Sequence, residues 1–330
     1  MSSRRPVSPG AEEILGLYFP VLDHGFVALV DYMGTDQCIE RAARVSYGYG
    51  TRKVSVTRGL LRYLRRHLHT TPSEMVELKF HCCMPMFVAR QWIRHRTANV
   101  NEYSGRYSLM PMLFYMPSEE QLQTQSRVNN QGRSGVPVDA QQYAEALRRW
   151  GQIRELASDC YEWMTSGEIA RELARIDLPL STYTQWYWKI DLHNLLHFLK
   201  LRVDPHAQWE IQEFGRVMAG ILKRVAPLSY EAWIDYDVCG HRLSRMELEA
   251  LRTLVAADEN GLTAQAGKRL DAGLLEELGL SKREVRELID KLQPRAAPDF
   301  ELDLSQAKSA EEFAERFLRA VPQVDKPPVE

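Results

Sequence analysis

Between Met75 and Cys83 the chain alternates strictly, with Val76, Leu78, Phe80 and Cys82 on one side and Glu77, Lys79 and His81 on the other. A period of two over that length predicts a half-buried strand. Residues 26–33 (FVALVDYM) form a second, weaker strand candidate. Pro85, just past the first strand, suits the opening position of a helix running through MFVARQWI. Helical spacing covers 55–68, 140–165, 167–177, 191–203 and 205–225, with Ile169, Leu173 and Ile176 as the apolar face of 167–177. Few strands among many helices predict an α+β fold.

Pro and Gly punctuate residues 1–20, which read as an N-terminal arm ahead of a main domain over 21–240. The polar, Gly-containing stretch 124–138 (TQSRVNNQGRSGVPV) predicts an exposed loop or insertion. Residues 241–330 read as a helical C-terminal extension. Apolar positions recur at Met246, Leu248, Leu251 and Leu254, and again at Leu274, Leu275, Leu278 and Leu280. Gly279 and Ser281 mark a break, after which LSKREVRELIDKL restarts as a capped amphipathic helix. A linker at 293–298 precedes a last helix over 308–320 and the tail DKPPVE.

A length of 330 residues fits about two domains. Lys and Arg total 42 against 44 Asp and Glu, so neither a basic nucleic-acid coat nor an acidic disordered chain fits. The extension 241–330 holds 14 basic and 18 acidic residues, which assigns any anion binding to the first 240. No apolar run approaches the length of a membrane span, and the basic N-terminus lacks the apolar core of a secretory signal. The 5 cysteines form no CxxC pair, the usage of a reducing compartment, and a cytoplasmic protein is expected.

Chemistry concentrates in QWIRHRTANVNEYSGRYS. Gln91, Arg94, His95, Arg96, Glu102, Ser104 and Arg106 follow an apolar helix rather than lying along a solvated one. Guanidinium forks bind phosphate through several donors at once, and Gly105 allows close approach of backbone to a ligand. Arg171 and Arg175 repeat at i,i+4, with Glu168 and Glu172 available to balance them. Arg202 ends an apolar helix, where a cation is also favoured by the macrodipole. His193 and His197 share that helix at a spacing that can hold zinc, although spacing places no third ligand and the candidate His206 begins another helix, or they can contact a flat polar cofactor. Neither GxGxxG nor GxxxxGK[ST] occurs. The arginines of 41–66, with Lys53, leave a nucleic-acid surface as a further reading.

RHRTANVNEYS carries Arg94-His95-Arg96, seven residues, then Ser104, and so resembles the RHRx7S signature of the flavin-dependent thymidylate synthases. The likeness extends from GFVALVDYMGTDQCIERAARVSYG through HTTPSEMVELKFHCCMPMFVARQWIRHR to ARELARIDLPLSTYTQWYWKIDLHNLLHFLKLRVDPHAQWEI, roughly residues 21–238. The resemblance implies a homotetramer with an α+β core, active sites between subunits, and FAD as cofactor. It implies reductive methylation of dUMP to dTMP, with methylenetetrahydrofolate as carbon donor, NADPH as electron source and tetrahydrofolate as product. It needs no metal, membrane or nucleic acid. Carried over by position, Thr71, Arg94, His95, Arg96, Glu102, Asp191, His193 and His197 match flavin contacts. Gln91, Arg94, Glu102, Ser104, Gly105, Arg106 and Arg175 match dUMP contacts. Arg202 matches the residue beside the uracil ring, an electrostatic catalytic role that makes Ser104 a substrate contact rather than a nucleophile. A related flavin enzyme acting on another uracil nucleotide remains compatible with the same residues.

Overall fold

The computed structural model describes residues 5–46, 57–127, 132–259, 261–265, 267–269 and 271–323. It divides into two compact units, 1–232 with 300–330, and 233–299.

The first unit is built on strands β1 (Tyr18–Val21), β2 (Gly25–Met33), β3 (Glu77–Pro85), β4 (Asn99–Glu102), β5 (Gln123–Gln125), β6 (Arg133–Pro137) and β7 (Tyr183–Asp191). Five of them form an antiparallel sheet in the order β1-β2-β3-β7-β4, while β5 and β6 pair as a separate hairpin. Its helices are α1 (Pro9–Glu12), α2 (Asp36–Val45), α3 (Thr57–Arg66), α4 (Thr71–Glu74), α5 (Met86–Trp92), α6 (Ala140–Ser166), α7 (Arg171–Ala174), α8 (Leu192–Arg202), α9 (Trp209–Val225) and α10 (Pro227–Trp233). The α+β expectation holds.

The alternation of 75–83 is realised in β3, where Leu78, Phe80, Cys82 and Met84 are buried. The central partner strand β7 repeats the pattern, burying Trp186, Trp188 and Ile190 while leaving Tyr187 exposed. Helices α5, α8 and α9 supply the rings that meet this face. Trp92 of α5 has its centroid 5.4 Å from Trp188, 5.5 Å from Trp186, 5.1 Å from Phe198 and 5.8 Å from Phe214. That packing fixes the end of α5, from which the Arg-His-Arg triplet emerges.

Three sequence expectations change. Residues 9–21 are not a detached arm, because Ala11 and Ile14 are fully buried, α1 packs on α9 and β1 extends the sheet. Pro85 is the residue before α5 rather than its first. The helix over 167–177 shrinks to the single turn α7, since α6 ends at Ser166 and Glu168 takes a positive φ of 58°. Burial in that stretch falls on Ala174 and Leu178, and Leu173 and Ile176 face solvent.

The second unit holds α11 (Arg245–Arg252), the hairpin β8 (Val255–Asp258) and β9 (Gly261–Ala264), α12 (Ala272–Glu277) and α13 (Lys282–Lys291). The hairpin was not legible as strands. The restart at Ser281 is: its hydroxyl accepts from Glu284 N–H and the Glu284 carboxylate accepts from Ser281 N–H, a reciprocal cap, with Gly279 at φ 94° making the break. Ala250, Leu275, Leu280, Val285 and Leu288 form its small core.

From residue 300 the chain belongs to the first unit again, although the sequence pattern groups it with the extension. Phe300 N–H donates to Tyr230 Oη (2.9 Å), Tyr18 and Lys308 exchange two backbone hydrogen bonds, and α14 (Ala310–Arg319) buries Phe313 and Phe317.

Candidate active site

The sheet's edge strand β4 delivers Glu102 to its end, and the chain then turns through Ser104, Gly105 and Arg106. Together with Arg175, which caps α7, these four residues line one cavity of about 430 Å³. The turn is tight because Tyr107 and Ser108 N–H both donate to Ser104 O (3.1 and 3.0 Å). Glu102 is oriented by Thr184 Oγ1, which donates to it at 2.8 Å. Arg106 Nε donates to Glu172 Oε2 (3.1 Å), and Arg171 donates to Tyr107 O (2.6 Å), so α7 is drawn onto the loop from both directions. Gly105 is required by packing. A Cβ there would lie 2.7 Å from Met110 Sδ and 3.0 Å from Arg175 Cδ. The cavity therefore presents three guanidinium groups, those of Arg90, Arg106 and Arg175, and the Ser104 hydroxyl, a donor set suited to a phosphate ester, with the Glu102 carboxylate as an acceptor beside them.

Ala89, Arg90 and Ile93 of the α5 region line that cavity, whereas Gln91 lies on the opposite side of the same helix. There Gln91, His95 and Arg202 form a second cluster. Arg202 ends α8 and donates to His95 Nε2 from Nε (3.1 Å) and from Nη2 (2.9 Å). Guanidinium only donates, so His95 accepts at Nε2 and carries its proton on Nδ1. Burial, with the Arg202 charge and His197 nearby, lowers the His95 pKa to about 4 and keeps the ring neutral. The pair is thus a cation aimed by a neutral imidazole rather than two competing cations. Arg94 and Arg96 flank His95 and are exposed.

The remaining expected residues gather around α8. Asp191 ends β7 and spends its carboxylate on the helix start, accepting from Asn194 N–H (3.0 Å) and Asn194 Nδ2 (2.6 Å). This cap sets the direction in which His193 and His197 project. The His193 Nδ1 atom is buried without a hydrogen-bond partner. His197 lies 6.3 Å, ring to ring, from His95. Thr71 opens α4, which packs on α8, and its neighbours Thr70 and Ser73 line a small recess with Leu196. Two exposed guanidinium groups flanking His95, the neutral imidazole between them and an orphaned imidazole nitrogen on α8 fit a dinucleotide cofactor with a pyrophosphate and a flat polar ring.

Among the described residues no group of three or more His, Cys, Asp or Glu side chains could hold a metal ion. In the arginine-rich 41–66 stretch, Arg44 pairs with Glu40, and Arg58 and Arg62 pair with Glu231. Arg52 and Lys53 lie outside the described residues. Among the described residues no helix is long and apolar enough to cross a membrane.

The sequence reading missed a polar relay behind Gln91 that runs from the surface to a buried carboxylate. Gln91 Nε2 donates to Gln208 Oε1 (2.5 Å), and Gln208 Nε2 donates to Glu210 Oε2 (2.9 Å). The Glu210 side chain is 2% exposed and also accepts from Tyr115 Oη (3.0 Å) and from Arg133 on β6. A Glu inside the apolar face of α9 was the available signal, since such a group must be paired.

Residues 28–228 match the protein family described as Thymidylate synthase complementing protein. The chain is 49% identical over 292 residues to a flavin-dependent thymidylate synthase of Ruegeria pomeroyi, covering 87% of this chain and 92% of the relative. It is 50% identical over 283 residues to one of Gluconobacter oxydans, covering 82% and 91%. Among solved structures it resembles the UMP/dUMP methylase PolB from Streptomyces cacaoi bound with 5-Br UMP, with a TM-score of 0.60 and 31% identity over 67% of this chain and 98% of that one.

Proposed function

We infer that this chain, which belongs to the flavin-dependent thymidylate synthase family, methylates dUMP to dTMP with a flavin cofactor. Methylenetetrahydrofolate is the carbon donor, NADPH the electron source and FAD the flavin. Flavin, when bound, supplies the reducing equivalents that turn the transferred carbon into a methyl group, so tetrahydrofolate leaves as product. The observation that carries the residue assignments is the cavity shared by Ser104, Gly105, Arg106 and Arg175.

Arg106 and Arg175 hold the nucleotide phosphate, and the Ser104 hydroxyl adds a donor without acting as a nucleophile. Gln91 and Arg202 address the base. The Arg202 cation, held by neutral His95, favours an electron-rich pyrimidine at no reorganisation cost, because its position is set before the substrate arrives. Thr71, Arg94, His95, Arg96, Glu102, Asp191, His193 and His197 form the flavin side, with Arg94 and Glu102 shared between nucleotide and cofactor, and the orphaned His193 nitrogen supports it.

Phosphate-side and base-side groups lie on opposite sides of α5, which supports sites completed by a second copy in a homotetramer. Exposed Ile153, Leu156 and Trp163 on α6 and Leu173 and Ile176 after it supply apolar surface for such contacts. Turnover of dUMP, with UMP in parallel, is measured with methylenetetrahydrofolate and NADPH, with and without added FAD. FAD-dependent dTMP together with tetrahydrofolate is expected. A colourless protein giving no product overturns the reading, and product from UMP alone moves it to another acceptor.

A further inference from the structure

We propose that helix α14, through Phe317, is a positioning element that holds the 102–106 loop in its binding geometry from behind. The inference rests on reading that loop as the nucleotide-binding one.

The loop hangs on β4, a four-residue edge strand that pairs only with β7. Short edge strands fray easily, since half of their backbone groups lack a sheet partner. Tyr103 continues the ladder by one residue, its N–H donating to Gln185 O (2.8 Å). Alternation then sends Glu102 and Ser104 to one side of the strand and the Tyr103 ring to the other, while Tyr103 itself still borders the cavity. On that other side stands α14. The Phe317 ring meets Tyr103 edge-on, centroids 5.4 Å apart, and the Tyr103 hydroxyl donates to Leu109 O (2.5 Å) beyond the turn. Tyr103 packs both against the cluster containing Phe317 and against the one containing Met110, Tyr161 and Ala174. It is the pin between them, with a substrate-facing residue on each side of it in sequence.

A brace must itself be fixed, and α14 is tied down at both ends. Before it, Lys308 is bridged to β1 through Tyr18, and in its first turn Phe313 packs on Phe26 at 4.8 Å. After it, Ala320 O accepts from Met112 N–H (2.6 Å), joining the end of α14 to the segment leading out of the loop. The C-terminal segment thus closes a ring of contacts from β1 through α14 to residues 103–112. Nothing in α14 lines the cavity, so its effect on nucleotide binding passes through Tyr103.

The test compares the FAD-loaded full-length enzyme with its Phe317→Leu and Phe317→Ala variants in dUMP titration calorimetry, steady-state kinetics and amide exchange. Phe317→Ala raises the dUMP Kd and KM by about tenfold, equal to about 1.4 kcal/mol, with kcat and flavin content little changed. Exchange speeds up at Tyr103, Tyr107 and Ser108 and not in β3. Phe317→Leu moves the same readouts by about threefold, because it keeps most of the apolar contact and loses the ring edge. Unchanged dUMP affinity and loop exchange in either folded variant overturn the proposal. Should Phe317→Ala fail to fold, the Phe317→Leu result decides alone. Wild-type enzyme that binds no dUMP would instead sink the nucleotide reading of the loop.

Discussion

Replacing Glu210 by Gln probes how the base-side groups are held. The carboxylate accepts from Gln208, Tyr115 and Arg133 while only 2% exposed. Glutamine preserves its shape but turns one acceptor oxygen into a donor, so Arg133 or Gln208 meets an N–H. Breaking a buried ion pair from one side costs about 3–5 kcal/mol. Arg133 is 27% exposed and can turn partly to water, which reduces the expected loss to about 2 kcal/mol. In a unit of this size that lowers Tm by about 4–8 °C. A second effect follows from amide polarity. Gln208 offers its oxygen to Gln91 because its nitrogen is committed to an acceptor-only carboxylate. Once residue 210 is an amide, the Gln208 amide can flip, Gln91 loses its fixed orientation, and the dUMP KM rises several-fold. Thermal unfolding and kinetics of Glu210→Gln, Arg133→Met and the double variant measure both. A Tm within 1 °C of wild type, or strict additivity of the two substitutions, would refute the relay.

Other consequences are equally direct. Arg202→Ala abolishes turnover while flavin absorbance is retained; near-normal activity would remove Arg202 from catalysis. Gly105→Ala forces Met110 and the Arg175 stem aside, costing about 1 kcal/mol and weakening dUMP binding, as a titration on the folded variant would show. His95 is held neutral, with a pKa lowered to about 4, so the unfolded chain takes up its proton near 6.5 and the folded chain does not. Stability is full above that value and falls between pH 6.5 and 4, by about 1 kcal/mol after discounting for solvent screening; urea titrations of wild type and His95→Asn should diverge over that window. Ending the chain at residue 299 exposes the partners of Phe313 and Phe317, each worth about 3–5 kcal/mol when truncated, and gives an unstable protein. A soluble truncation with wild-type Tm would contradict that packing.

What the sequence revealed of the fold follows from which forces act locally. Strand β3 was legible because one face is buried and the other is not, leaving a clean alternation. Strand β7 alternates as well, as Trp186, Trp188 and Ile190 against Tyr187 and Lys189, but its polar positions are aromatic or long-chained and blur the pattern. The segment 167–177 misled for the opposite reason. Its apolar residues are spaced for a helix, yet several of them face outward, and an exposed apolar stripe has the same spacing as a core-facing one. The return of 300–320 to the first unit depends on long-range contacts of Tyr18 and Tyr230, and no local pattern encodes those.

The site shows the same division between chemistry and context. Residue types announced the donors: Arg94, His95, Arg96, Ser104 and Arg106 stand in one short stretch because the turn after β4 and the end of α5 must each carry several polar groups at once. Their partners are not announced. Neutral His95 under Arg202 lies 107 positions away, and Glu172 on Arg106 lies 66 away. A guanidinium is useful in catalysis only when its direction is fixed in advance, and in this chain that direction comes from an acceptor on a different element. Arg202→Lys is therefore not a mild change. Lysine keeps the charge but offers a point donor in place of the fork that spans His95 Nε2 with both Nε and Nη2. It should bind flavin and fold like the wild type yet lose most of kcat; a Lys variant with near-normal kcat would mean that charge alone, without aim, suffices at this position.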